Sequence, residues 1–193
     1  RRGPGKGRLA QVAALARSED VADYGRAAAV FTLGQFEDDR VAVQLLDLVA
    51  LPATREHALR ALTDRVGNLE RVPAAPLVAA LQDENPRVQA QALISLGRLG
   101  KVEAAGAILP LTVREEGSAA PTKEPVYNQP DPGRVIPHLA VQALVAVGGV
   151  EASLKGLEGP YHDGAQWALK SMHSPAAVNG LIRLLSTQRD DQR

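Results

Sequence analysis

The chain has 193 residues, and its 22 Lys plus Arg balance its 22 Asp plus Glu, which gives a formal net charge of zero. This balance removes the broad electrostatic attraction that binding to nucleic acid or an anionic membrane would use, so we expect neither partner. The chain contains no cysteine, which excludes disulfides, thiolate metal sites, a cysteine nucleophile and covalent c-type haem within it. No apolar run approaches the roughly 18 residues of a membrane span.

Apolar residues recur at helical spacing along the chain, and polar or proline-containing turns separate the apolar stripes. The apolar content is 45% but aromatic residues supply only 3%, so Ala, Leu and Val must build the core. The stripes predict pairs of helices packed side by side. The predicted repeats span residues 8–34, 38–67, 73–100, 102–148, 150–173 and, as a partial repeat, 174–187.

Individual residues indicate where several helices begin. Thr54 is predicted to cap the second helix of the second repeat. Asn85 and Pro86 are predicted to open the second helix of the third repeat, Asn85 as the cap and Pro86 as the first helical residue. Pro137 is predicted to be the first residue of the second helix in the fourth repeat.

The fourth repeat is interrupted at residues 114–136, which contain four prolines and two glycines. No continuous helix tolerates this composition, so we predict a long loop inside a regular scaffold. Long loops in such scaffolds commonly serve a function. Tyr127, Asn128 and Gln129 offer an amphipathic ring and two amides suited to contact, and disorder of the loop is the alternative that the residues leave open.

A short motif, Ala-x-x-x-Leu-Gly in its clearest copies, lies at the end of the second helix of each repeat. It ends at positions 34, 63, 97, 148 and 173, so that successive copies are 29, 34, 51 and 25 residues apart. A period of about 20 to 50 residues indicates a stacked-repeat architecture. The longest interval is the one that contains the inserted loop.

The segment from Asp83 to Gly100, DENPRVQAQALISLGRLG, resembles a HEAT repeat of the short variety also found in phycobilin lyases. Its Asp-x-x-Pro-x-Val turn leads into an Ala-rich helix that ends in Leu-Gly. The resemblance implies an all-α fold, a right-handed α-α superhelix (a HEAT-like solenoid) of about five to six helix pairs with one long inserted loop. We expect a single domain over residues 1–193, and we expect it to be a piece of a longer protein.

A second, narrower resemblance concerns the stretch from Pro137 to Leu185. It is similar to the HEAT segment of large planctomycete-type membrane-bound dehydrogenase and cytochrome c proteins, and the matching residues are Pro137-His138-Leu139-Ala140, Trp167-Ala168-Leu169 and Met172-His173. The resemblance implies an exported, redox-associated multidomain protein and an extracytoplasmic, periplasmic location. The chain has no Cys-x-x-Cys-His, so it is not expected to carry a haem of its own. No other cofactor is expected either.

Arginines recur on the predicted second helices, at positions 26, 55, 60, 87 and 98. One interpretation is a ladder that binds an acidic peptide or a phosphate backbone. The other, which we favour, is ion pairing with the acidic turns of the neighbouring repeat, for example of Arg87 with Asp47 or Asp83.

Other residue types give no indication of a reaction centre. The four histidines, at 57, 138, 162 and 173, contain no pair spaced to hold one metal ion on one helix. Acidic clusters fall at predicted turns, where helix dipoles favour them, and neither a nucleophile elbow nor a phosphate loop is present. Trp167 is predicted to pack in the core or between repeats. We therefore predict no catalytic, metal-binding or cofactor-binding residue, and no enzyme.

The sequence thus predicts a monomeric, non-catalytic scaffold that docks a protein partner or neighbouring domains of the same chain. The candidate partner-binding residues are Tyr127, Asn128, Gln129, Arg134, His138 and Arg87. The alternatives are an enzyme of the HEAT-like DNA glycosylase or lyase class and a purely structural interdomain spacer. A positive cleft holding an aromatic residue and a carboxylate would favour the enzyme, and an apolar or mixed groove beside the insertion would favour docking.

Overall fold

The computed structural model describes residues 6–113 and 132–190. Across these residues the chain forms eleven α-helices and no strand, which confirms the predicted all-α fold. The helices are α1 (Lys6–Arg17), α2 (Asp23–Gly34), α3 (Arg40–Val49), α4 (Arg55–Thr63), α5 (Ala75–Ala79), α6 (Pro86–Leu99), α7 (Ala105–Ile108), α8 (Pro132–Ala146), α9 (Val150–Gly156), α10 (His162–Ser171) and α11 (Pro175–Asp190). Short 3-10 segments cover Val66–Arg71, Ala80–Gln82, Val102–Ala104 and Leu109–Thr112. None of the described helices is both long enough and apolar enough to cross a membrane.

The chain divides into two compact units, one ending at Leu99 and the other beginning at Gly100. In the first unit α1 packs on α2, α3 on α4 and α5 on α6, and the second helices pack against each other in the order α2, α4, α6. In the second unit α10 packs on both α8 and α9, and α11 packs on α9. The helix pairs predicted from the apolar stripes are therefore present within each unit.

Aliphatic side chains, chiefly Leu, Ala and Val, fill both cores. The last apolar residue of the repeated motif is buried in every copy: Leu33, Leu62, Leu96, Val147 and Met172. Full burial of one such side chain contributes about 1.5–3 kcal/mol. Each copy of the motif in the sequence therefore places one apolar side chain in the core at the end of a second helix.

Two of the predicted helix starts have different outcomes. Asn85 opens α6 as predicted, because its side-chain oxygen accepts a hydrogen bond from the backbone N–H of Arg87 at 3.0 Å, and Pro86 is the first helical residue. Thr54 occupies the N-cap position of α4 as predicted, but its side chain does not cap the helix. Its buried hydroxyl donates to the Leu48 carbonyl at 2.8 Å and makes no cap bond to α4, so it fastens the turn between α3 and α4 instead.

The predicted start at Pro137 is wrong. Helix α8 begins at Pro132, and Pro137 lies inside it. A proline at this position has no N–H to donate, so the helix continues with one backbone hydrogen bond fewer. Ile136 and Ala140, on either side of the proline, are both buried, so this part of the helix packs against the core. Residues 132–136 therefore belong to the helix and not to the inserted loop.

Candidate partner-binding surface

Arginines of the second helices in the first unit form ion pairs with neighbouring repeats. Arg55 on α4 donates to Asp83, just before α6, at 2.5 Å, and Arg98 near the end of α6 donates to Asp64, just after α4, at 2.6 Å. The backbone N–H of Asn85 and the Arg55 guanidinium both lower the pKa of Asp83. The ion-pairing interpretation is confirmed for these two arginines.

Arg87, a predicted partner-binding residue, pairs with Glu56 and with neither Asp47 nor Asp83. Its Nε and one terminal nitrogen each donate to the Glu56 carboxylate at 2.9 Å. These hydrogen bonds lower the pKa of Glu56, because they favour the charged carboxylate. The Arg87 side chain is still 74% exposed, so the pair lies on the surface and its outer edge is open to solvent.

Two other predicted residues, Arg134 and His138, lie one helical turn apart on α8, and both are exposed. The His138 imidazole packs against the Trp167 indole of α10, with ring centroids 5.5 Å apart and ring planes inclined by 50°. The structure therefore brings His138 together with a residue from the next second helix. The remaining predicted residues lie outside the described part of the chain: Tyr127, Asn128 and Gln129.

Of the two predicted positions for Trp167, the core is wrong, because 45% of the residue is exposed, and packing between repeats is confirmed by its contact with His138 of the preceding repeat. Helix α10 buries Ala165, Ala168 and Leu169 along one stripe, and position 167 falls beside that stripe. The helical spacing of the small residues carried this signal in the sequence. The indole consequently covers part of His138 and presents the rest of its surface to solvent.

Close packing beneath α10 fixes where this indole lies. Gly164, almost one turn before Trp167, lies against Thr112 at the end of a 3-10 segment, where any side chain would collide. The same segment packs on α8. Both rings of the His138–Trp167 pair are therefore carried by helices that rest on a common support, and such a surface is better defined than one built on loops.

A second aromatic–histidine pair lies in the first unit. The rings of Phe31 on α2 and His57 on α4 have centroids 5.6 Å apart and planes inclined by 65°. The Arg60 guanidinium lies over the Phe31 ring, 5.5 Å from its centroid. Sequence reasoning missed this group because its members come from different repeats and share no local motif.

The chemistry of these two surfaces suits binding. Within residues 6–113 and 132–190, no three His, Cys, Asp or Glu side chains come close enough to hold a metal ion. An exposed indole packed on an imidazole combines a large apolar face with polar edges, and interface cores are enriched in such side chains. The His138–Trp167 pair and the neighbouring Arg134 are therefore the strongest candidate contact surface in the second unit.

A depression of about 450 Å³ in the first unit lies between the loop after α2 and the segment after α4. Its charged residues pair across it, Arg65 with Glu37 at 3.6 Å and Arg71 with Asp39. Exposed pairs of this kind contribute little energy and mainly hold the two loops together. The depression is therefore a weaker candidate site than either aromatic pair.

No protein-family model and no curated protein matches the chain. Among solved structures, the complex of CpcE and CpcF of phycocyanin lyase from Nostoc sp. PCC7120 is 22% identical, with a TM-score of 0.61 over 96% of this chain and 73% of that chain. The crystal structure of an engineered protein is 15% identical, with a TM-score of 0.56 over 94% of this chain and 86% of that one. At these identities the likeness shows the fold alone, and it supports the predicted resemblance to the helical repeats of phycobilin lyases.

The likeness contradicts the prediction that the chain is not an enzyme, because a solved complex with this helical fold is a lyase. That prediction rested on missing sequence motifs for nucleophiles, metals and phosphate binding. A helical-repeat surface is assembled from side chains that lie far apart in the sequence, as Phe31 and His57 do here. The lack of a local motif therefore does not exclude a reaction centre on such a fold.

Proposed function

We propose that the chain binds a partner protein through the exposed surface of α8 and α10 that surrounds Trp167 and His138. The exposure of Trp167 is the observation that carries this proposal. It is the single Trp of the chain, and it is held between two packed helices. Tryptophan is among the residues that dominate binding energy once a partner covers them.

Arg134 extends this surface along α8, one turn from His138. Its guanidinium supplies several donors in a fixed plane, which suit carboxylates and carbonyls of a partner. Tyr127, Asn128 and Gln129 precede α8 in the sequence, and we propose that they contact the same partner.

Arg87 belongs to the first unit, and we propose it as a separate contact residue. Its bond to Glu56 leaves most of the side chain exposed. The remaining N–H groups of its guanidinium can donate to a carboxylate or carbonyl of a partner while the bonds to Glu56 are kept.

The partner that we propose is a second, different protein. The solved complex with the same fold contains two chains, CpcE and CpcF, which supports an assembly of this type. We keep the prediction that the chain is a monomer when it is alone, and light scattering of the purified chain tests it.

The test compares Trp167→Ala with Val178→Ala, which removes an equally exposed apolar side chain from α11. A partner first has to be identified by crosslinking and mass spectrometry, and its affinity is then measured by calorimetry with each purified variant. We expect Trp167→Ala to weaken binding at least tenfold, or about 1.4 kcal/mol, and Val178→Ala to leave it unchanged. Equal affinities of both variants would contradict the proposal, and a chain that binds no protein would point to a structural spacer.

A second candidate function is that of a lyase subunit, and the fold likeness to the phycocyanin lyase complex favours it. The surface around Trp167 would then receive the protein substrate. The experiment mixes the chain with phycocyanin, with and without CpcE or CpcF, and follows the visible absorption spectrum. A spectrum that stays unchanged in every combination would contradict this second candidate.

The wider context of the chain is a proposal as well. We propose an exported, redox-associated protein in the periplasm, and the ground for this is the sequence resemblance of Pro137-His138-Leu139-Ala140 and Trp167-Ala168-Leu169 to planctomycete-type proteins. Determining the full reading frame tests this, because a neighbouring Cys-x-x-Cys-His segment would be expected.

A further inference from the structure

The first unit carries a second contact surface, formed by side chains of α2, of α4 and the residue that follows it, and of α6. We call it the Arg60 cluster, and its members are Phe31, His57, Arg60, Asp64 and Arg98. We propose that the Arg60 cluster binds an acidic segment of a partner protein by receiving one of its carboxylates. This proposal does not depend on the surface around Trp167.

The two arginines of the cluster share one carboxylate. Arg98 donates to Asp64 at 2.6 Å, while the Nε of Arg60 lies 3.5 Å from the other oxygen of Asp64. Both guanidinium groups carry a full positive charge, and Asp64 supplies a single negative one. The cluster therefore has one positive charge in excess, which one incoming carboxylate would neutralise.

The Arg60 guanidinium is positioned by a neighbouring ring, and its N–H groups remain available to donate hydrogen bonds. Its guanidinium lies over the Phe31 ring, and its side chain is 56% exposed. Among the hydrogen bonds that the described residues make, none is donated by this guanidinium, whereas those of Arg87 and Arg98 do donate. A guanidinium fixed on a ring has lost part of its freedom already, so it binds a carboxylate at a lower entropic cost.

The surface around Arg60 has the size and polarity for a protein segment. On α6, Ile94 lies one turn before Arg98 and is 38% exposed, and Arg87 lies near the start of the same helix. The ion pairs Arg87–Glu56 and Arg98–Asp64 bracket this face at its two ends. Eleven helical residues separate the pairs along α6, or about 16 Å, which is enough for a short peptide with one apolar residue.

The charges favour an acidic peptide over nucleic acid. Glu56 and Asp64 lie on the same face as the arginines, and they would repel the regularly spaced phosphates of a strand. A single excess positive charge also gives little counterion release. A segment with one or two carboxylates and an apolar residue avoids both penalties.

The test measures fluorescence anisotropy of a fluorescein-labelled twelve-residue peptide of Gly and Ser that carries two Glu and one Leu, titrated with the full chain at low salt. A peptide with Gln in place of Glu is the uncharged probe. Variant Arg60→Gln removes the proposed carboxylate donor, and Arg40→Gln removes a half-exposed arginine that pairs with Asp38 outside the cluster. We expect the Glu peptide to bind, Arg60→Gln to weaken it about tenfold, and Arg40→Gln to change it less than twofold.

A third variant gives an effect of the opposite sign. Asp64→Asn removes the carboxylate that competes for both arginines, so we expect the Glu peptide to bind more tightly, by about threefold to tenfold. A variant that merely loosened the fold would weaken binding instead. Circular dichroism and thermal melting of each variant confirm that it is folded.

Four outcomes of the peptide titrations would overturn the proposal. They are no binding of the Glu peptide, equal binding of the Gln peptide, equal losses in Arg60→Gln and Arg40→Gln, and no gain in Asp64→Asn. A twelve-nucleotide oligothymidylate that displaces the Glu peptide and binds more tightly would overturn it in favour of a polyanion site.

Discussion

Gly164 on α10 lies so close to Thr112 that a β-carbon on the glycine would collide with the Thr112 side chain. This contact lets α10 approach the 3-10 segment that also supports α8. Gly164→Ala should therefore destabilise the second unit by about 1–3 kcal/mol through overpacking, even though alanine favours the helix by about 1 kcal/mol. Urea denaturation measures this loss.

Gly106 is the matched control, since it lies in α7 and a β-carbon there would have no neighbour within 4 Å. Gly106→Ala should stabilise the chain by up to about 1 kcal/mol. If both substitutions shifted the unfolding midpoint in the same direction, the close contact at Thr112 would not be the cause.

Leu93 and Ile94 are neighbours on α6 with opposite surroundings. Leu93 is fully buried, while Ile94 is half-exposed. Leu93→Ala should cost about 2–5 kcal/mol, because it removes buried methyl groups and leaves a cavity. Ile94→Ala should cost less than about 1 kcal/mol. Comparable losses in the unfolding free energy of the two variants would show that the helix is rotated relative to this description.

The pair Arg87–Glu56 makes stability depend on pH. Because the folded-state pKa of Glu56 is lowered from its usual 4.5, the stabilisation is present above pH 4.5 and is lost as the pH falls through the lowered value. Arg87→Gln should cost less than about 1 kcal/mol at pH 7, as expected for an exposed pair, and progressively less as the pH falls below 4.5.

The measurement is the urea unfolding free energy of wild type and Arg87→Gln at a series of pH values from neutral downward. In a Glu56→Gln background the Arg87→Gln substitution should have no effect at any pH. A difference of the same size at every pH would assign the effect to packing of the arginine rather than to its ion pair.

Substitution by alanine should change stability in opposite directions at two buried serines. Ser153 is fully buried, and its hydroxyl has no hydrogen-bond partner among the described residues. Ser153→Ala should leave stability unchanged or raise it by about 1 kcal/mol, because an unsatisfied hydroxyl is removed from the core.

Ser95, also buried, donates to the Leu59 carbonyl and accepts from the Thr63 hydroxyl, each at 3.0 Å. Ser95→Ala leaves the Thr63 hydroxyl without this acceptor and should cost about 1–3 kcal/mol. Thermal melting of both variants distinguishes the two cases, and a loss at position 153 would indicate a hydrogen bond that the geometry does not show.

Features set by neighbouring residues were predictable from the sequence. The apolar stripes predicted helices correctly, and Asn85 with Pro86 marked the start of α6, because capping depends on residues within one turn. Leu33 and Leu96 occupy the same position in two copies of the repeated motif, which predicted that both are buried. These signals are local, and tertiary packing did not override them.

Features set by contacts between helices were not predictable in the same way. The hydroxyl of Thr54 bonds to Leu48 because the turn folds back on α3. Pro137 remains inside α8, where buried residues on either side pack against the core. The pairing of Phe31 with His57 and of His138 with Trp167 depends on which helices become neighbours. Single-sequence patterns do not specify that choice.

The solitary indole at position 167 gives the chain a built-in optical reporter. Its emission comes from one place only, on the seam between α8 and α10. A protein that covers this seam should shift the emission to shorter wavelength and shield it from acrylamide, whereas a ligand seated elsewhere should leave the spectrum as it was. Binding at this surface can therefore be followed in unlabelled protein, even before the partner has been identified.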